Sequence, residues 1–442
     1  MMNLRLRGRL RWLYPGMRVK RWVLLSLGSM GLIVFALLKL LGKERVGEIY
    51  RLLPIVGAMR HVLIGLVFAA GIAGFGLAIS RLVRSVARGV APGRTEKPAE
   101  IIYRTRVLER GPRVVALGGG TGLSTLLRGI KRETANLTAV VTVMDDGGSS
   151  GRLRSELDVL PPGDVRNCIL ALAEDEDRMA RLFQHRFSGR TDFAGHSVGN
   201  LLLVGLEQAT GGFDRAIEEM SHILNIRGRV LPATLKKTNL LAQMEDQTWI
   251  EGESSIAGDP RRIVQIKLSD KSAPPYDLVL KEIERADLII LGPGSLFTSL
   301  IPNLLVDRIS QAIVAAAAEK IVVANLMTQP GETDRLSLKD HLSILNQYLE
   351  IRSFDSIIIN DALPEEDLLT GYREEEAEPV TNDLEEENKY ALKVIRTDLL
   401  GTIALAGKTT LKHDPRKLAR TIVRHTRVFS GFRGKGGPGF GI

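Results

Sequence analysis

The chain has 442 residues, too many for one ordinary core and enough for a large α/β domain with an appendage. Its composition, 44% hydrophobic and 25% charged, is that of a folded protein, and its single cysteine, Cys168, excludes an internal disulfide and a cysteine-based zinc site. The net charge of +9 does not mark a nucleic-acid binder: residues 1–111 hold 20 Lys and Arg against 5 Asp and Glu, which of the chain's 60 and 51 leaves 40 against 46 for the remainder. The basicity belongs to the N-terminal region, the rest is mildly acidic, and no nucleic-acid partner is expected.

In chain order, the first elements are two apolar segments. WVLLSLGSMGLIVFALL (22–38) and VLIGLVFAAGIAGFGLAIS (62–80) carry no charge, and each approaches the roughly 20 residues a helix needs to cross a bilayer. They predict a membrane hairpin in residues 1–89, with spans over 22–41 and 62–80. Arg5, Arg7, Arg9, Arg11, Arg18, Lys20 and Arg21 precede the first span, and Arg81, Arg84, Arg88, Arg94 and Lys97 follow the second. This bias puts both ends, and the domain that follows, on the cytoplasmic side of the plasma membrane. Residues 90–111, with VAPGRTEKPAE, predict a polar linker. The main domain is expected over 112–428, followed by a Gly-rich disordered tail at 429–442.

From residue 113 on, short β-branched runs alternate with helical stretches. Strands are predicted at RVVAL (113–117), LTAVVTVM (137–144), ADLIILG (286–292), KIVVANL (320–326) and FDSIIIN (354–360), with a strand-rich stretch near 230–270. Helices are predicted at 123–133, 163–173 and 197–209, then in LLVDRISQAIVAAAAE and DHLSILNQYL. PRKLARTIVRHTR, near the C-terminus, predicts an exposed basic amphipathic helix. Cys168, in DVRNCILALA, is expected as a small core residue. The alternation predicts an α/β fold: a Rossmann-like, mostly parallel sheet with helices on both faces, preceded by the two-helix transmembrane hairpin.

In such sheets ligands sit at the carboxyl ends of the strands, so the loops there carry the argument. GGGTGL supplies Gly118, Gly119, Gly120, Thr121, Gly122 and Leu123, a turn whose backbone N–H groups and following helix suit a phosphate. It lacks the lysine of a Walker loop, and Leu123 stands where a dinucleotide fingerprint has its third glycine. DDGGSSGRLR places Asp145 and Asp146 at a buried strand end, as metal ligands or as a catalytic base, with Gly147, Gly148, Ser149 and Ser150 as phosphate donors. In PPGDVRN, Asp164 is a helix cap or a site residue, with Arg166 and Asn167 beside it. HSVGN puts His196 and Asn200 on one helical face. GPGSLFTS repeats the opening logic with Gly292, Pro293, Gly294 and Ser295, followed by Thr298 and Ser299. NLMTQPGET adds Asn325 and Thr328 at another strand end.

Taken together, ALGGGTGLSTLLRGI, DDGGSSGRLR, LPPGDVRNCILAL, GHSVGNLLL, LGPGSLFTSLIPNLL and NLMTQPGET resemble the bacterial gluconeogenesis factor (UPF0052) family, in the superfamily of 2-phospho-L-lactate transferase. The resemblance runs from about residue 113 to 427. It implies a nucleotide in the cleft above the sheet, with residues 118–123 and 292–295 as its phosphate contacts. Asp145 or Asp146 then matches an acidic position near the acceptor of the transferases, which use a divalent metal. Asn200 lies in a shared motif without an assigned role, and YREEEAEPV resembles a late motif that orders the acidic loop. The family is linked to UDP-sugar binding, cell shape and cell-wall precursor supply during gluconeogenic growth. A UDP-sugar ligand is therefore expected, with Mg²⁺ as a candidate ion, an enzyme of wall-precursor supply as a candidate partner, and a homo-oligomer. Residues 1–110 stand outside the family core.

The leading reading is a membrane-anchored, UDP-sugar-binding regulator. The rival is a transferase of phosphorus-containing groups that moves a phosphoryl-linked group from a nucleoside diphosphate carrier. An NAD-dependent oxidoreductase, the third reading, is disfavoured by the imperfect fingerprint.

Overall fold

The computed structural model describes residues 20–41, 58–90, 107–385, 388–405 and 408–434. The basic leader, most of the loop between the two apolar segments, most of the linker and the end of the tail lie outside the described residues. The chain divides into two compact units, Met1–Arg104 and Thr105–Ile442.

In the first unit, helices Lys20–Leu41 and Ala58–Val90 pack side by side. Ser29 meets Gly71 and Gly74, and with Ala36 and Ala78 it is buried. Small residues at such a seam let two backbones approach closely. Most of the large apolar side chains stay exposed, and Arg21–Lys39 and Val62–Val83 are long and apolar enough to cross a membrane. The second helix runs ten residues past its predicted span, to Val90.

The second unit is built on a seven-stranded, all-parallel sheet. Its strands are β1 (Val114–Gly118), β2 (Leu137–Val141), β3 (Arg229–Pro232), β7 (Leu288–Leu291), β8 (Glu319–Val323), β9 (Ser356–Asn360) and β10 (Lys393–Thr397), in the order β10-β9-β8-β7-β1-β2-β3. Between β3 and β7 the chain forms a three-stranded antiparallel sheet from β4 (Leu240–Met244), β5 (Trp249–Glu251) and β6 (Ile263–Leu268). After β10 comes an antiparallel hairpin, β11 (Leu400–Leu405) and β12 (Lys408–His413).

Every residue of β1, β2, β7 and β8 is buried, as expected for strands covered on both faces. Helix Gly120–Ile130 presents Leu123, Leu126, Leu127 and Ile130 to that core at helical spacing. Cys168 is buried in the same core.

Several predicted boundaries move. β2 ends at Val141, where its pairing with β1 runs out at Gly118, whose carbonyl takes a last bond from Thr142 N, and its pairing with β3 runs out at Pro232. Val143 and Met144 stay buried, which is why the apolar run reads longer, and Asp145 and Asp146 lie in a loop beyond the strand. The predicted linker loses its last residues to the domain: Leu108 is buried, and Asn136 donates to the carbonyls of Glu109 and Gly111. The basic helix Pro415–His425 is not simply exposed. It buries Leu418, Ala419, Ile422 and Val423, and the Pro415 carbonyl lies against Gly129. The predicted tail at 429–442 begins later, since helix Arg427–Gly434 covers its first residues and buries Phe429. The acidic stretch after residue 371 is ordered in part, by helix Glu366–Glu374 and a bridge from Met327 to Pro379.

Candidate functional site

β1 is the switch point of the sheet. From it the chain moves outward through β2 and β3, then returns to β7 on the other side of β1 and moves outward through β8, β9 and β10. Connections therefore leave β1 and β7 in opposite directions and open a crevice above their carboxyl ends. The two glycine-rich loops occupy that crevice.

After β1, Gly120 takes a left-handed φ of 58° and opens the helix Gly120–Ile130, three residues earlier than predicted. After β7, residues 292–295 lead into a π-helical turn, Leu296–Leu300, and then helix Ile301–Leu305. The two loops touch. A Cβ at position 122 would stand 2.5 Å from the Pro293 carbonyl oxygen, so only glycine fits between them. Asn325, just past β8, clamps the second loop: its Nδ2 donates to Gly294 O at 2.8 Å and its Oδ1 accepts from Gly294 N at 3.2 Å.

The cleft between the loops is lined by Gly119, Gly120, Thr121, Gly122, Pro293, Gly294, Ser295 and Asn325, all named from sequence. Its volume of about 210 Å³ suits a pair of phosphates, with the rest of a nucleotide outside. Gly118 and Leu123 do not line it: Gly118 ends β1 and accepts from Asn303, and Leu123 is core. Gly292 is absent from the lining too. Ser299 reaches the cleft, whereas the Thr298 hydroxyl turns to Glu332 at 3.2 Å. Thr328 pins the acidic loop, exchanging bonds with Glu378.

Asp164 is the surprise of the site. It stands at the start of helix Gly163–Leu172, yet its carboxylate accepts from the backbone N–H of Gly120, at the start of a different helix. Burial raises its pKa to about 6, the neighbouring Asp145 adds to the rise, and Gly120 and Arg166 oppose it. Asp145 is held inward by Gly147 N at 2.8 Å and by Ser150, and burial raises its pKa as well. Asp146 is engaged elsewhere, accepting from Ser254 N at 2.8 Å and so tying the loop to the antiparallel insert.

DDGGSSGRLR forms a helix, Gly148–Leu157, in which Ser149 and Ser150 are buried. Ser149 Oγ lies 2.9 Å from His196 Nδ1 and accepts from Asn200 Nδ2 at 3.0 Å. Arg166 donates to Ser197 and to Asn200 Oδ1, and also to Asn167. Ser149, His196, Asn200 and Arg166 thus form a buried network behind the loop, with Asn167 at its partly exposed edge, and Ser149 is no free phosphate donor. Burial lowers the pKa of Arg166 to about 10 and lowers that of His196. Asp146, Gly147 and Gly148 face a second hollow of about 840 Å³ with Arg152, Arg154 and Lys237.

Sequence reasoning missed Thr125, Gln329, Lys412 and His413 in the cleft wall. It also missed Glu253 and Glu332. Burial, compounded by Asp145, Asp164, Glu332 and Asp146, pushes Glu253 to about 9, and burial takes Glu332 to about 7. Glu253 reaches the site only through the fold, from an element that no motif marks; Glu332 lies within NLMTQPGET, where the sequence pointed to Asn325 and Thr328 instead.

The family model of 2-phospho-L-lactate transferase CofD matches residues 114–400. The Bacillus subtilis gluconeogenesis factor is 44% identical over 312 residues, covering 71% of this chain and 97% of its own length. A Nostoc relative is 40% identical over 425 residues, 94% of this chain and 92% of its own. A match that long takes in most of residues 1–110, so this relative carries a counterpart of much of the N-terminal extension, whereas the Bacillus subtilis factor is matched over nearly its whole length by 71% of this chain. A crystal structure from Bacillus halodurans, described as a UPF0052 family member, matches with a TM-score of 0.67 at 43% identity, over 71% of this chain and 99% of that one. The chain therefore belongs to the gluconeogenesis factor family, with a 2-phospho-L-lactate transferase-like domain behind two apolar N-terminal helices.

Proposed function

We propose that this protein is a membrane-anchored receptor for a nucleotide-sugar, of the UDP-sugar class, with its α/β domain on the cytoplasmic side and a regulatory role in envelope-precursor supply. One observation carries the reading: two glycine-rich loops meet at the switch point of the sheet and line a cleft sized for a diphosphate. The helix beginning at Gly120 adds partial positive charge there.

The test uses residues 105–442, a compact unit that matches nearly the whole length of the Bacillus subtilis relative. Calorimetric titration with UDP-N-acetylglucosamine, GDP and NAD, with and without Mg²⁺, should give tight UDP-sugar binding without nucleotide breakdown. Gly120→Asp places a carboxylate in the cradle beside Asp164 and should abolish that binding; intact affinity would refute the loop assignment. Anchoring is tested in cells. A form lacking residues 1–104 should fail to replace the full chain, and full replacement removes the tether from the account.

A second reading, a transferase, is favoured by Asp145 and Asp164. Among the described residues no group of three or more His, Cys, Asp or Glu is arranged to hold a metal. Two hard carboxylates beside a phosphate cradle nevertheless fit Mg²⁺, which takes one or two carboxylates and completes its shell with phosphate oxygens and water. The ion would supply charge neutralisation at the diphosphate, and Asp145 and Asp164 would hold it. Asp146, engaged with Ser254, would not. Mg²⁺-dependent consumption of GDP-linked or UDP-linked substrate would move the assignment to this reading.

A further inference from the structure

We propose that the outer face of helix Pro415–His425 is an electrostatic docking surface for the anionic headgroups of a lipid bilayer. The proposal rests on the membrane-anchored reading above and adds to it a contact made by the α/β domain itself. Residues 415–442 hold 7 Lys and Arg and no Asp or Glu, whereas residues 112–414 hold 33 against 46. An acidic domain thus ends in a segment of the opposite sign. Where the rest of a surface is repelled by anionic lipid, such a segment decides which side approaches it.

The fold displays these cations instead of pairing them. Leu418, Ala419, Ile422 and Val423 are buried, so the apolar face of the helix is already used by the domain. Arg416, Arg420 and Arg424 are all exposed, and their spacing of four puts them in one stripe about 12 Å long. Among the described residues no carboxylate pairs with any of the three, whereas Lys417, on the flank, is bonded to Asp398 and Arg427, beyond the helix end, to Asp355. Lys393, exposed at the start of β10, adds its charge near His425.

The position of the stripe favours a bilayer over another polyanion. The basic helix crosses Gly120–Ile130 at Gly129, in the last turn of that helix, whereas the cleft lies at its first turn. The chain enters the domain at the same end: Thr134 and Asn136, just past that last turn, donate to the carbonyls of Pro112, Glu109 and Gly111. The far end of the basic helix is tied to the start of β8, where Glu319 accepts from Arg427 N at 2.7 Å. The stripe therefore lies toward the amino ends of the strands, the end at which the chain arrives, and the cleft opens at the carboxyl ends. A tether through that entry holds the domain at high effective concentration beside a bilayer, so a modest attraction suffices. With no apolar face to insert, the contact is with headgroups alone and is reversed by salt. It leaves the cleft open to soluble ligand.

The experiment measures co-sedimentation of the 105–442 unit with vesicles of phosphatidylglycerol and phosphatidylcholine, and with vesicles of phosphatidylcholine alone. The unit should bind only the anionic vesicles, and less at high salt. A cation close to such a surface is worth roughly fivefold in partitioning. The triple variant Arg416→Gln, Arg420→Gln, Arg424→Gln should therefore bind at least about tenfold more weakly, while the same three positions changed to Lys stay within about threefold of native. Arg178→Gln, Arg181→Gln, Arg190→Gln removes as much charge from another exposed patch and should leave binding near native. Neither glutamine triple breaks an ion pair, so both should keep the native thermal midpoint. No binding to anionic vesicles, or equal loss from the two glutamine triples, overturns the proposal. Stripe-dependent self-association in sedimentation velocity without vesicle binding also overturns it, and assigns the face to a second copy. The anchoring reading is tested apart, by washing membranes from cells that make the full chain with high salt. Retention upholds the anchor, and release removes it while the vesicle comparison still decides the stripe.

Discussion

Gly122→Val is expected to eliminate nucleotide binding and to lower the thermal midpoint of the 105–442 unit by several degrees. The cause is contact between two backbones. A Cβ at 122 would meet the Pro293 carbonyl oxygen at 2.5 Å, its carbon at 2.9 Å and Gly294 N at 3.1 Å. Those atoms cannot yield cheaply, because Asn325 holds Gly294 by two hydrogen bonds and the following π-helical turn starts from Ser295. Forcing methyl groups into such a joint costs about 1–3 kcal/mol, and the β-branched side chain is also constrained in the first turn of a helix. Binding should suffer more than stability, since the cleft exists only while the two loops stay in register. Thr121→Val is the control. Thr121 is exposed on the cleft side, so losing its hydroxyl should leave the midpoint near native. Equal thermal midpoints and equal affinities for Gly122→Val and native protein would show that the loops are not coupled.

The parts of the fold legible in the sequence are those where one physical rule dominates. β1, β2, β7, β8 and β9 are buried on both faces and read as unbroken apolar runs. β10, at the sheet edge, mixes exposed Lys393 and Arg396 with buried Ile395 and gives no such run. The β11–β12 hairpin breaks its apolar pattern with Thr, Lys and Gly, so neither its strands nor the cleft residues at its end stand out in the sequence. The glycine loops were legible because a strand that ends in clustered glycines and opens a helix leaves few alternatives. The roles of single polar residues were not legible. Asp164 looks like the cap of its own helix, and only the three-dimensional approach of helix Gly163–Leu172 to Gly120 turns it toward the phosphate loop. Ser149 looks like a donor for ligand, but the fold commits its hydroxyl to His196 and Asn200. Lys412 and Glu253 carry no local signal, because their significance comes from elements far away in sequence.

Asp164→Asn should raise the stability of the metal-free unit above pH 6 and leave it near native at pH 4. The folded-state pKa of Asp164, about 6, lies above the ordinary 3.8, so the folded chain holds this proton more tightly than the unfolded one does. Between those two values the unfolded state binds fewer protons. Stability must then fall as pH rises through that window and stay low above it. Each tenfold difference in proton affinity between the folded and unfolded chain is worth about 1.4 kcal/mol, so this residue contributes a penalty on the order of 3 kcal/mol at neutral pH. Asparagine carries no charge, keeps nearly the same shape, and leaves an oxygen to accept from Gly120 N–H. The variant should accordingly melt several degrees higher than native at pH 7.5 in the presence of a chelator, with the two curves converging at pH 4. Parallel curves across that range would mean that Asp164 is already compensated in the folded state. Mg²⁺ supplies the second comparison. If Asp145 and Asp164 together hold the ion at the diphosphate, Mg²⁺ with nucleotide should raise the native midpoint at pH 7.5 and do far less for Asp164→Asn. The carboxylate that weakens the empty domain would then be retained because the liganded domain needs it, and an equal response of both forms to Mg²⁺ would remove the ion from the site.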